Sequence, residues 1–173
     1  MKPKKIRINI RNKVLLILIV ALSLTILGNF YEYVTGEIEK YNIPASVLCF
    51  EIAESCAMTL FLEVTNLVKK LKIIGCNIAI DNFGMGMSSF MYLKDLPVDI
   101  IKIDGRLINE ILKTSTDMTV VKSINDIAHL SNIKTVAECV ESIEVLEKVR
   151  ELGIDYVQGL EIDRPGEINE IYK

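Results

Sequence analysis

Asn77-Ile78-Ala79-Ile80-Asp81 is a short apolar run that ends on a carboxylate, and four more stretches repeat its form. Val47-Leu48-Cys49-Phe50 ends at Glu51, Ile100-Ile101 at Lys102, Thr135-Val136-Ala137 at Glu138 and Tyr156-Val157 at Gln158. Successive end residues are 30, 21, 36 and 20 positions apart, room for one strand and one helix each. The runs are rich in Val and Ile and lack strict alternation, as expected of parallel strands covered on both faces. Strand–helix alternation of this kind predicts an α/β protein with a parallel sheet, built as a (β/α) barrel. Such barrels keep their chemistry where the strands end. Three carboxylates, a lysine and an amide delivered there point to a metal-assisted site rather than to packing.

The intervening stretches support this reading. Helical spacing of apolar residues marks 30–41, with Asn42 and Pro44 closing it, and 58–71, closed by Lys69, Lys70, Lys72 and Gly75. Further helices are expected near 106–112, 117–130, 143–152 and, at the end, 166–172. Asn82-Phe83-Gly84-Met85-Gly86-Met87-Ser88-Ser89 reads as a glycine-bearing loop. The chain has 173 residues, fewer than the roughly 200–250 of a complete eight-unit barrel. A net charge of −3 gives no basic face for nucleic acid. Four cysteines (Cys49, Cys56, Cys76 and Cys139) show no CxxC spacing and read as reduced core residues. His129, the single histidine, is expected at a surface or boundary.

The N-terminus is different. Lys2, Lys4, Lys5, Arg7, Arg11 and Lys13 precede 18 uncharged residues, 14–31. A basic leader before an apolar run of this length predicts an apolar helix that either anchors the chain in a membrane or packs as a buried helix of the domain. The expected organisation is therefore residues 1–30 as leader and apolar helix, and 31–173 as the barrel domain. The anchor predicts location at the cytoplasmic face of an inner membrane, and the free thiols a cytoplasmic domain; the membrane topology stays open.

The motifs, taken in order, resemble one family. Glu51-Ile52-Ala53-Glu54-Ser55 is similar to the E-(I/L)-T-E-S stretch of the EAL-domain cyclic di-GMP phosphodiesterases, and 81–89 to their D-D-F-G-T-G-Y-S-S. Tyr92-Leu93-Lys94, Leu96-Pro97-Val98-Asp99 and Ile101-Lys102-Ile103-Asp104 resemble Y-L-K-x-L-P-V-D-x-x-K-I-D. Ala137-Glu138-Cys139-Val140-Glu141 is similar to A-E-G-V-E, and Gln158-Gly159 with Arg164-Pro165 to the final Q-G…R-P.

The resemblance implies a TIM-like barrel that hydrolyses one phosphodiester of cyclic di-GMP with one or two Mg²⁺ or Mn²⁺ ions. It implies Glu51, Asp81 and Asn82 at the metal positions. Lys102 would orient the water or neutralise charge on the phosphate, and Glu138 would be the general base or a second-metal ligand. Glu141 and Gln158 would line the substrate pocket, and Glu54 would hold the Asn82–Ser89 loop.

The departures set further expectations. The Glu-Ala-Leu triplet is absent, the chain beginning too late to supply it. An asparagine ligand on the next strand has only Asn9 or Ala21 as candidates, and the second aspartate of D-D is Asn82. Hard cations favour charged oxygen ligands, so hydrolysis is expected to be weak or lost. The fold expected is an incomplete barrel of about the last five to six βα units. Its open edge offers pairing to a second copy or a partner protein. The alternative function is a non-catalytic protein-interaction or nucleotide-binding module in bacterial signalling.

Overall fold

The computed structural model describes residues 15–18, 24–84 and 90–162. Six strands form one parallel sheet: β1 (Leu15–Leu18), β2 (Cys49–Ala53), β3 (Asn77–Phe83), β4 (Ile100–Ile103), β5 (Lys134–Ala137) and β6 (Tyr156–Val157). Between them run α1 (Leu24–Tyr41), α2 (Glu54–Thr59), α3 (Phe61–Ile73), α4 (Gly105–Glu110), α5 (Ser115–Leu130) and α6 (Ile143–Glu151).

The strand order is β1-β2-β3-β4-β5-β6, without a reversal. A doubly wound sheet changes direction at a switch point and so places helices on both faces. Here each right-handed crossover advances the same way, which puts the helices on one face and leaves the other to a barrel lumen. The burial pattern agrees. Phe50, Ile52, Ile78, Ile80, Ile101 and Ile103 form one buried cluster with Leu67, Val68 and Leu71 of α3 and Val121 and Ile124 of α5. The residues between them on the strands, Glu51, Ala79, Asp81 and Lys102, therefore face the lumen. The sheet is an arc of a TIM-like barrel, with β1 and β6 as its edges among the described residues.

Three expectations need correction. The apolar stretch 14–31 is not one helix. Leu15–Leu18 is a strand paired with β2, Leu15 opposite Cys49 and Leu18 opposite Glu51, and helix begins at Leu24. A short aliphatic run fits a doubly covered parallel strand as well as a buried helix, and the free edge of β2 decides for the strand. Among the described residues no helix is long and apolar enough to cross a membrane. The helix expected at 58–71 is two, α2 and α3, because Leu60 (φ −116°, ψ 45°) leaves the helical region between them. Finally, Cys139 is exposed rather than in the core, although Cys49 and Cys76 are buried and all four thiols are free. The stretch 166–172, the loop core 85–89, Asn9 and Ala21 lie outside the described residues.

The opposite, N-terminal end of the strands is tied by two aspartates. Asp99, just before β4, accepts from Ile78 N at the start of β3 (2.8 Å) and from Lys72 Nζ on both oxygens (2.6 and 2.7 Å). Asp155, just before β6, accepts from Thr135 N at the start of β5 (3.0 Å) and from Lys134 Nζ (2.7 Å), and it pairs with His129 Nε2 (2.8 Å). Thr135 Oγ1 donates to the buried Asn125 Oδ1 (2.6 Å), whose amide donates to Leu152 O (3.1 Å). Burial alone would raise the Asp155 carboxyl, but Lys134, the Thr135 N–H and His129 outweigh it and hold it below its ordinary value.

Candidate active site

Strands β2, β3 and β4 and the residue after β5 each place one ionisable side chain at the lumen mouth. Parallel register sets their heights: Glu51 lies opposite Ala79, Asp81 opposite Ala53, and Lys102 opposite Val136, two residues before Glu138. The Lys102 ammonium sits among three carboxylates, 3.0 Å from Glu51 Oε2, 2.9 Å from Asp81 Oδ1 and 2.8 Å from Glu138 Oε1. The contact to Asp81 Oδ1 is an ion pair rather than a well-aligned hydrogen bond. Lys102 is 9% exposed at its side chain and the three acids 12–16%, so these charges interact with little solvent between them.

Burial disfavours the charged lysine. Close contact with the Glu138 and Asp81 carboxylates and the charges of Glu138 and Glu51 overcome that and raise its pKa. Glu138 is pushed up from its ordinary value, first by burial and then by the like charges of Asp81 and Glu51, against the pull of Lys102. One cation against three anions leaves the cluster with a net negative charge. A carboxylate with raised proton affinity, poised beside an ammonium, suits a proton acceptor for a bound water.

Other sequence-derived candidates fall in different places. Asn82 is exposed, has φ 56°, and its Nδ2 donates to Asp81 Oδ2 (2.7 Å). It supplies no charge and occupies an oxygen of its neighbour. Glu54 is buried and accepts from Gly84 N at 3.0 Å, just after β3, which takes in the Asn82 and Phe83 expected in a loop. Glu141 and Gln158 are exposed and stand outside the ionic cluster, although Gln158 follows β6 at the same end of the sheet. Gly159 beside it allows a close backbone approach: a Cβ there would lie 2.2 Å from Val140 O.

One pair escaped the spacing argument. Asp104 is buried after β4 and caps α4, accepting from Arg106 N (2.8 Å), Arg106 Nε (3.0 Å) and Arg106 Nη2 (2.9 Å). Its carboxyl is held below the ordinary range chiefly by that guanidinium.

The donor chemistry fits a hard divalent cation, since Glu51, Asp81 and Glu138 offer only carboxylate oxygens. They are drawn in around an ammonium, however, and among the described residues no group of three His, Cys, Asp or Glu is disposed to hold a metal.

A one-directional parallel arc with acids and a lysine at its strand ends defines a TIM-like barrel fold. The EAL domain profile matches residues 6–165, and the chain belongs to that family. The match extends the motif resemblance back through β1. The chain is 42% identical over 138 residues to the cyclic di-GMP phosphodiesterase PdeF of Escherichia coli, covering 80% of this chain and 18% of that protein. It is 37% identical over 134 residues to the cyclic di-GMP phosphodiesterase PdeB of Shewanella oneidensis, covering 78% and 16%. The chain thus spans less than a quarter of these relatives' length. Among solved structures, the PaMucR phosphodiesterase in complex with c-di-GMP superposes with a TM-score of 0.79 at 32% identity, over 87% of this chain and 62% of that one. The FimX EAL domain from Pseudomonas aeruginosa bound to c-di-GMP gives 0.77 at 26%, over 84% and 60%.

Proposed function

We propose that the lumen mouth is a cyclic di-GMP site at which hydrolysis is weaker than in relatives with the full acidic set. The observation behind this is the convergence of Glu51, Asp81, Lys102 and Glu138, from consecutive strands, within ion-pair distance. In this reading Glu51 and Asp81, with the Asn82 carbonyl, would hold Mg²⁺ or Mn²⁺, which would supply a lowered water pKa and a charge to offset that on the phosphodiester. Glu138 takes the water's proton. Lys102 keeps the carboxylates in register and faces the phosphate. Glu141 and Gln158 bound the pocket, and Glu54 steadies the loop through Gly84.

The weakening follows from two local features. Asn82 replaces a charged ligand with a neutral one and ties up an oxygen of Asp81. Leu15-Leu16-Ile17-Leu18, the strand beside Glu51, contains no oxygen-bearing side chain. Both lower the attraction for a divalent ion. The test is hydrolysis of cyclic di-GMP to the linear dinucleotide with Mn²⁺. Weak turnover abolished by Glu138→Ala and increased by Asn82→Asp supports the reading; turnover indifferent to Glu138→Ala removes it.

Among the described residues β1 and β6 are the edges of the sheet, which favours a second reading, a non-catalytic module that pairs through one of them with a second copy or a partner. Saturable self-association in sedimentation, with cyclic di-GMP left intact, would favour it over the first.

A further inference from the structure

The turn between β4 and α4 presents a second cation that the reading above leaves unused. Three contacts locate it. Asp104 N donates to Phe83 O (3.1 Å), two residues beyond Asp81, and Glu138 N donates to Ile103 O (3.3 Å). Gly105 lies so close to Cys139 that a Cβ on it would be 2.5 Å from the Cys139 Cβ. The turn is therefore wedged between the segment following Asp81 and the segment following Glu138, at the rim of the ionic cluster.

Arg106 stands on this turn with its side chain 69% exposed, while its partner Asp104 is 5% exposed. The buried carboxylate grips one edge of the guanidinium through Nε and Nη2 and fixes the plane of the group. The remaining N–H groups of the fork are directed away from Asp104. Arginine presents planar, paired donors that match phosphate oxygens, and orienting it beforehand reduces the entropy lost on binding.

Electrostatics gives this cation a use. The buried cluster is net negative, and its own lysine is already shared by three carboxylates. A cyclic dinucleotide brings two phosphodiester charges, which such a mouth repels. An exposed, oriented guanidinium at the rim offsets that repulsion where the ligand enters.

We propose that Arg106 is a substrate-binding residue that holds the phosphodiester of cyclic di-GMP not undergoing cleavage, with Asp104 as its positioning residue. This rests on the lumen mouth being the cyclic di-GMP site. The test is equilibrium binding of cyclic di-GMP to the 173-residue chain and its variants by calorimetry, in Ca²⁺ to avoid turnover, at several salt concentrations.

Arg106→Ala is expected to weaken binding about tenfold or more, in line with losing a charge-assisted hydrogen bond, and to flatten the salt dependence. Arg106→Lys restores charge without the planar fork, so it recovers only part of the loss. Lys122→Ala, which removes a cation of the exposed α5 pair with Asp126, controls for net charge and leaves binding unchanged. Circular dichroism of each variant reports folding, and the α4 cap survives in Arg106→Ala because Asp104 also accepts from the backbone N–H. If Arg106→Ala binds within twofold of the parent, the assignment is overturned while the site reading stands. If the parent shows no saturable binding, the site reading falls and the assignment falls with it.

Discussion

The two ends of this sheet handle charge in opposite ways. At the N-terminal end, Asp99 and Asp155 each take a backbone N–H and a lysine, so every anion has a cation and a donor of its own. At the C-terminal end three carboxylates share one ammonium. The first arrangement joins neighbouring strands. The second concentrates uncompensated charge where a ligand can enter, and the fold tolerates it only because Lys102 is present. A protein selected for stability alone has no reason to build the second arrangement.

Removing the shared cation tests the contrast most severely. Lys102→Met leaves Glu51, Asp81 and Glu138 facing one another, and urea unfolding at neutral pH should show a loss of roughly 3–5 kcal/mol. A change below about 1 kcal/mol would mean that the acids are solvated independently of the lysine. Asp155→Asn should cost less, about 2 kcal/mol from weakened charge-assisted bonds to Lys134, His129 and Thr135 N. It should leave cyclic di-GMP binding unchanged, since the clamp lies at the far end; an equal loss of binding would show that the ends are coupled.

The pH dependence sharpens the same contrast. The folded-state pKa of Asp155 lies below its unfolded value of about 3.9. Its contribution is therefore fully present above that value and disappears as pH falls through the folded pKa. The stability gap between parent and Asp155→Asn should be constant near neutrality and narrow below about pH 4, as read by urea midpoints across pH. The smallest effect is expected at Cys139, a non-glycine residue with φ 53° pressed against Gly105. Cys139→Gly should stabilise the chain by about 0.5–1 kcal/mol, measured as a rise in thermal midpoint.

How far the sequence could be read follows from the kind of signal each part leaves. Strands β2 to β6 were legible because a Val/Ile run ends each time on a polar residue at βα spacing. The four-residue ionic cluster was legible because those polar residues share a strand-end position. β1 was not, because Leu15–Leu18 sits in an aliphatic stretch whose period distinguishes neither strand nor helix. The break at Leu60 was hidden because both flanks keep helical apolar spacing. The centring of all three acids on Lys102 depends on lateral register that linear spacing does not encode. The Asp99 and Asp155 ties were missed because a single aspartate before a strand looks like any turn residue. Their separation, 56 residues, becomes meaningful only once both are seen to do the same thing one pair of strands apart.

Each tie joins a strand to the one before it, never across the lumen. The Lys102–Glu51 contact reaches past an intervening strand, while among the described residues the strand ladder likewise pairs only neighbours. Cohesion of that kind decays outward from the middle, so amide hydrogens of β3 and β4 should exchange slowest and those of β1 and β6 fastest. The arc can fray from its flanks while the four charged side chains, three of them on its central strands, keep their places.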